Sequence, residues 1–175
     1  SQAPWTAASV SSVITSQYPP HQYDYKNYHL SPDSPNLIAL LKNNGYRAAI
    51  FSNADPMLSM TLSEIKDSFE SFYICNTTSA NIVKQAIDWI TNHRNQPFFA
   101  WVYLFEPHGP YTVEPYYYNE FLSDELYKLK NVAIAEDDGV KNEFYSFGVI
   151  PRFVAEKDIT DVGYYIAKYD GKIRS

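Results

Sequence analysis

Residues 34–52 read SPNLIALLKNNGYRAAIFS and predict a helix, its stop and a strand in immediate succession. Ser34 and Pro35 suit an N-cap and a first helical residue, because proline lacks the amide that a helix leaves unpaired there. Leu37, Ile38, Leu40 and Leu41 form the apolar face. Asn43-Asn44-Gly45 ends the helix, with Gly45 free to take the left-handed cap conformation. Tyr46 to Ser52 then reads as a short strand bounded by polar residues. A helix and a strand joined by so short a loop are half of a βαβ unit.

The unit recurs. Ser79 is expected to cap a helix through His93, with Ile82, Val83, Ala86, Ile87 and Ile90 on one face. Asn95-Gln96-Pro97 breaks it. Residues 97–107, PFFAWVYLFEP, follow as a nearly continuous apolar run. A strand apolar on both faces belongs in a parallel sheet covered by helices. Residues 55–75 predict a short helix and a short strand at FESFYIC. The expected fold is α/β, a partial, mostly parallel sheet with helices on both faces.

The ends of the chain are helical. Thr6 to about Ser16 predicts a helix with Thr6 at or near its N-cap. Residues 18–35, YPPHQYDYKNYHLSPDSP, read as loop. Beyond His108 come a loop, a broken helix over 114–130 and an irregular stretch over 131–147. Residues 157–175 predict a last helix, with Ile159, Val162, Ile166, Tyr169 and Ile173 on one stripe. A helix at each end, with no strand outside it, predicts residues 1–175 to be a single domain, one piece of a larger α/β protein truncated at both ends. Exposed sheet edges would then allow self-association.

Composition excludes several classes. The net charge of −6 argues against a nucleic-acid binder, which carries a basic surface. No apolar run approaches the roughly 20 residues that span a bilayer, so no membrane partner is expected. Cys75 is the one cysteine, so no internal disulfide can form. Aromatic residues reach 17%, which suits either half-buried tyrosines with polar tips or a ring-binding surface.

Few residues suggest chemistry. Asp137-Asp138, in AEDDG, reads as a solvated turn. His21, His29, His93 and His108 show no metal-ligand spacing, and no Gly-rich phosphate loop occurs. No metal site is expected in this stretch. His93 suits a helix C-terminus as a structural residue. His108, in FEPHGPY, directly follows an apolar strand, where an imidazole can donate a hydrogen bond or move a proton. A role in capping the strand is the alternative. Thr6 either caps its helix or serves as a nucleophile beside the free amides and positive dipole end, which would also hold an anion.

Taken in order, these segments resemble the sulfatase family, within the alkaline phosphatase superfamily. PWTAASVSSVITSQYP resembles the segment in which C-x-P-S-R opens a helix ending in L-T-G-x-Y-P. LIALLKNNGYRAAIF resembles L-x-x-L-L-x-x-x-G-Y-x-T-A-x-F. AIDWITNHRNQPFFAWVYLFEPHGPY resembles the helix, strand and D-P-H-x-P-Y stretch. DVGYYIAKYDGKIRS resembles the Y-D-x-x-I helix that precedes a D-H-G strand.

The resemblance implies roles by position. Thr6 takes the nucleophile's place and Ser9 that of the motif serine, beside the substrate. His108 takes the place of the histidine that contacts the sulfate group. Asn53 falls where many sulfatases have a substrate-contacting lysine. Ala8 replaces the motif proline and Val10 the motif arginine. The methyl on the Thr6 Cβ prevents its conversion to formylglycine. The metal ligands of the family lie on segments outside this chain, so a divalent cation (Ca, Mg, Mn or Zn) is expected in the full-length protein. The implied function is metal-dependent hydrolysis of a sulfate or phosphate ester, with this chain alone inactive. The alternative is a non-catalytic sulfatase-like binding module or a degenerate copy.

Overall fold

The computed structural model describes residues 6–18, 23–24, 29–30, 34–53, 56–128, 133–134, 149–150, 154–156 and 159–175. The chain forms two compact units, Ser1–Phe105 and Glu106–Ser175. In chain order the first unit holds α1 (Thr6–Thr15), β1 (Tyr23–Asp24), β2 (His29–Leu30), α2 (Leu37–Asn43), β3 (Arg47–Asn53), α3 (Pro56–Thr61), a 3-10 helix (Ser63–Ser68), β4 (Ser71–Cys75), α4 (Ser79–His93) and β5 (Phe98–Tyr103).

β3 is the centre. It pairs in parallel with β4 on one side and β5 on the other, giving the order β4-β3-β5. Ala48 to Asn53 are all buried. Strand side chains alternate between faces. Ala48 and Ile50 therefore join Val10, Ile14, Ile38, Leu58 and Leu62 on one face. Ala49 and Phe51 meet Ile82 and Ala86 of α4 on the other. Helices thus cover both faces, and each fully buried large apolar side chain contributes about 1.5–3 kcal/mol. The β3–β4 connection lies on one face and the β4–β5 crossover on the other. Crossovers that step in opposite directions along a sheet keep the same hand only when they lie on opposite faces.

Local signals set the element ends. Asn36, not Ser34, caps α2, because its Oδ1 accepts from the amides of Ile38 and Ala39 at 2.9 and 3.2 Å. Gly45 follows the helix at φ +82°, as expected. Thr78, not Ser79, caps α4, accepting from the Asn81 amide. α1 ends at Ser16, a non-glycine residue at φ 57°. The hydroxyls of Ser11, Ser12 and Thr15 donate back to the carbonyls of Ala7, Ala8 and Ser11. That pairing lets a serine-rich helix be buried on most of its circumference.

The amino end of the sheet is held by charge. Arg47 Nη1 donates to Glu70 Oε2 at 2.9 Å, and Glu70 Oε1 lies 2.8 Å from His93 Nε2. His93 Nδ1 lies 2.7 Å from the Trp89 carbonyl, so this histidine is structural and sits at the end of α4. Exposed pairs of this kind contribute roughly 0–1 kcal/mol each.

The second unit holds α5 (Pro115–Leu122), a 3-10 turn (Glu125–Tyr127), β6 (Ala133–Ile134) parallel to β7 (Val149–Ile150), and α6 (Val162–Arg174). α6 begins later than residue 157 because the Asp161 carboxylate caps it, accepting from the Gly163 amide. Its buried face also departs from the apolar stripe. Gly163, Tyr165, Ala167, Lys168 and Gly171 are buried, whereas Ile166, Tyr169 and Ile173 are exposed. Close approach explains the choice: a Cβ on Gly163 would lie 1.6 Å from the Tyr127 carbonyl oxygen, and one on Gly171 would lie 2.8 Å from the Tyr118 Cβ. Lys168 is buried over the rings of Tyr118 and Tyr164 and pairs with Glu156.

Two alanine substitutions should separate backbone strain from close packing. Gly45→Ala meets open space but keeps a positive φ, so it should cost about 1–2 kcal/mol. Gly163→Ala forces α6 away from the 3-10 turn and should exceed about 3 kcal/mol. Urea unfolding of both variants measures the order; a smaller loss for Gly163→Ala would contradict the close packing of α6.

Candidate functional site

Ligands of parallel sheets gather outside the carboxyl ends of the strands. In the first unit those ends are Asn53, Cys75 and the residues after Tyr103. Asn53 and Cys75 are register partners across β3 and β4. The Asn53 side chain accepts from the Phe105 amide at 2.8 Å through Oδ1 and donates to Ser79 Oγ at 3.1 Å through Nδ2. It is 7% exposed. Cys75 is half-buried, and its hydrogen bond to the Tyr73 hydroxyl, aided by burial, pushes that phenol above its usual value.

Thr6 and Ser9 lie on the partly open side of α1, one turn apart, with exposed Val13 continuing the stripe. Thr6 is the first helical residue, so its end of α1 carries the unpaired amides. Ala8 and Val10 of the same helix are buried in the core. Thr6, Ser9 and Asn53 thus belong to one unit.

His108 belongs to the second unit and is exposed, in the segment between β5 and α5. Its Nδ1 lies 2.8 Å from the Gly109 carbonyl. That oxygen can only accept, so Nδ1 carries the proton of the neutral ring. The peptide bonds before Pro107 and Pro110 are cis.

Among the described residues, no three His, Cys, Asp or Glu side chains come together as a metal ion would require. The described side chains therefore offer no set of ligands for a divalent cation. His21 and the Asp137-Asp138 pair lie outside the described residues.

The profile of the sulfatase family matches residues 1–174. The chain belongs to the sulfatase family. A comparison with curated proteins finds no match. Among solved structures, this sulfatase-family chain is similar to one described as BT4656 in complex with its substrate D-glucosamine-2-N,6-O-disulfate, with a TM-score of 0.53 and 16% identity. The match covers 73% of this chain and 29% of that chain. At that identity the likeness is one of fold, and the chain spans less than a third of the neighbour's length.

Sequence reasoning did not foresee the bonds of Asn53, whose partners stand 26 and 52 residues away. It also missed the support of the Y-D-x-x-I stretch. Asp170 accepts a 2.6 Å hydrogen bond from the Tyr127 hydroxyl, which with partial burial pushes that phenol up to about 12. Tyr164 is likewise raised, first by burial and then by its bond to Glu156.

The Tyr127 shift fixes a pH dependence. The folded state holds this proton more tightly than the unfolded chain, so its contribution is complete below pH 10 and is lost as pH rises from 10 to about 12. Tyr127→Phe should flatten the fall in unfolding free energy over that window. An unchanged slope in chemical unfolding at pH 9.5 to 12 would remove Tyr127 as its source.

Proposed function

We propose that this chain is part of the catalytic domain of a sulfatase-like hydrolase of the alkaline phosphatase superfamily, acting on sulfate or phosphate esters. The observation that carries the reading is the position of Thr6 as the first residue of α1, within a sulfatase-family match that also runs through His108. Both units would belong to one catalytic domain.

In this reading Thr6 Oγ attacks sulfur or phosphorus, in line with the ester oxygen that leaves. The positive end of α1 favours the alkoxide over the hydroxyl and receives the equatorial oxygens on its free amides. Ser9 lines the substrate beside Thr6. The Thr6 hydroxyl proton passes to solvent as the oxygen attacks, the bond from the central atom to the ester oxygen breaks, and His108 in its protonated form gives a proton to the departing alcohol. Water then cleaves the Thr6 ester, releasing the sulfate or phosphate and restoring the hydroxyl. Asn53 stands at the carboxyl end of β3. The described residues offer no ligand set for a divalent cation, so none of these steps is routed through one; its ligands would come from the full-length protein.

Val10 favours phosphate over sulfate. Its side chain is 5% exposed, so no cation orients an aldehyde hydrate at that position, and Thr6 itself cannot be oxidised to one. The same burial would equally suit a non-catalytic module that binds a partner, which activity assays separate from the enzyme.

The full-length protein is expected to hydrolyse p-nitrophenyl phosphate faster than p-nitrophenyl sulfate. Thr6→Ala should lower kcat by about a thousandfold or more, while Thr6→Ser keeps the attacking oxygen and most of the rate. His108→Ala should lower kcat by roughly 10²–10⁴-fold, with the smallest loss on esters of acidic alcohols that leave without a proton. The isolated 175-residue chain should turn over neither substrate. Full activity in Thr6→Ala would exclude the nucleophile, and no hydrolysis by the intact protein would favour the binding module.

Self-association through the sheet is the second expectation. Among the described residues β5 pairs only with β3, and its Val102 is exposed. An unpaired edge of that kind recruits another strand. The isolated chain should elute earlier on size exclusion as its concentration rises, and Val102→Lys should abolish the shift. A monomer independent of concentration would contradict it.

A further inference from the structure

The β3–β5 ladder ends at the Ser52–Tyr103 pair. Phe105 lies two residues beyond, where its amide needs an acceptor that the strand backbone no longer supplies. Asn53 Oδ1 supplies it at 2.8 Å, so the side chain acts as one more rung of the ladder. The same amide group donates through Nδ2 to Ser79, the first residue of α4. One side chain thus joins the end of the central strand to both termini of the α4–β5 segment. The group is buried, which strengthens these bonds and makes an unmatched donor or acceptor there costly.

We propose that Asn53 is a positioning residue, which fixes the point where the chain leaves β5, three residues before His108, by accepting from the Phe105 amide and donating to Ser79 Oγ. Its catalytic consequence rests on the ester-hydrolase reading above; the anchor itself does not. The essential property is an acceptor at Oδ1. Aspartate keeps that oxygen and can take a proton from the Ser79 hydroxyl instead of giving one. Leucine has neither group. Lysine carries three donors and no acceptor, so it cannot hold the Phe105 amide.

An anion-contacting role predicts the reverse order. Lysine at position 53 would then attract a sulfate or phosphate ester, and aspartate would repel it. The two roles are opposite in sign for the same pair of substitutions.

The test uses the full-length protein and two readouts. Hydrogen exchange of the Phe105 amide should accelerate about tenfold in Asn53→Leu and Asn53→Lys, and stay near the parent rate in Asn53→Asp. Hydrolysis of p-nitrophenyl phosphate should lose up to about a hundredfold in kcat in the leucine and lysine variants, with KM nearly unchanged, and recover in the aspartate variant. Unchanged Phe105 exchange in Asn53→Leu would overturn the anchor. A lower KM with full kcat in Asn53→Lys, paired with a raised KM in Asn53→Asp, would overturn positioning in favour of anion contact. If the parent protein hydrolysed no ester, the function reading would fail while the exchange rates alone decided the anchor.

Discussion

The first unit depends on β3 being buried on both faces and paired on both edges. A strand in that position can carry no solvated face, and Arg47–Asn53 accordingly places its one charged residue at the amino end, outside the core. Ala48 and Ala49 keep the layers close, while Ile50 and Phe51 supply most of the apolar area. α1, α2 and α3 meet one set of these residues and α4 the other. A one-residue slip of β3 against its neighbours would exchange the two sets, so the register is fixed by packing as well as by hydrogen bonds.

Polarity inside this core is handled in two ways. Ser11, Ser12 and Thr15 donate within their own helix, and Asn53 satisfies main chain beyond the ladder. By contrast, Ser52 Oγ and Thr61 Oγ1 are buried with no hydrogen-bond partner among the described residues. Each such orphan costs about 1–3 kcal/mol. Ser52 directly precedes Asn53, so the carboxyl end of β3 is where apolar packing gives way to polar groups. That is also the end at which α/β sheets place their ligands.

Periodicity and stop signals were enough to locate β3, α4, β5 and the Gly45 turn, because each is specified by neighbours within a few residues. Cap identity was less legible. Ser34, Asn36, Thr78 and Ser79 are all good cap formers, and the choice falls to whichever side chain meets a free amide once the strand ends are placed. The buried face of α6 was misleading for a different reason. Glycine carries no hydropathy signal, yet Gly163 and Gly171 set the approach of the helix and leave Ile166 and Ile173 outward. Strand order and the bonds of Asn53 depend on residues far apart in sequence, so no local pattern carries them.

The departures from the sulfatase nucleophile motif follow the packing of α1. Thr6 and Ser9, the two positions that retain a hydroxyl, lie on its partly open stripe. Ala8 and Val10, where the motif has proline and arginine, are turned into the core against the elements that cover β3. An arginine at position 10 would have to bury a guanidinium among Ile14, Leu58 and Leu62 or force the helix outward, and an unpaired charge in such a place costs several kcal/mol. Replacement by valine removes that conflict and adds an apolar contact to the sheet. Packing therefore divides the helix by face, with Thr6 and Ser9 on the partly open side and Ser11, Ser12 and Thr15 turning their hydroxyls back to the helix's own carbonyls inside the core.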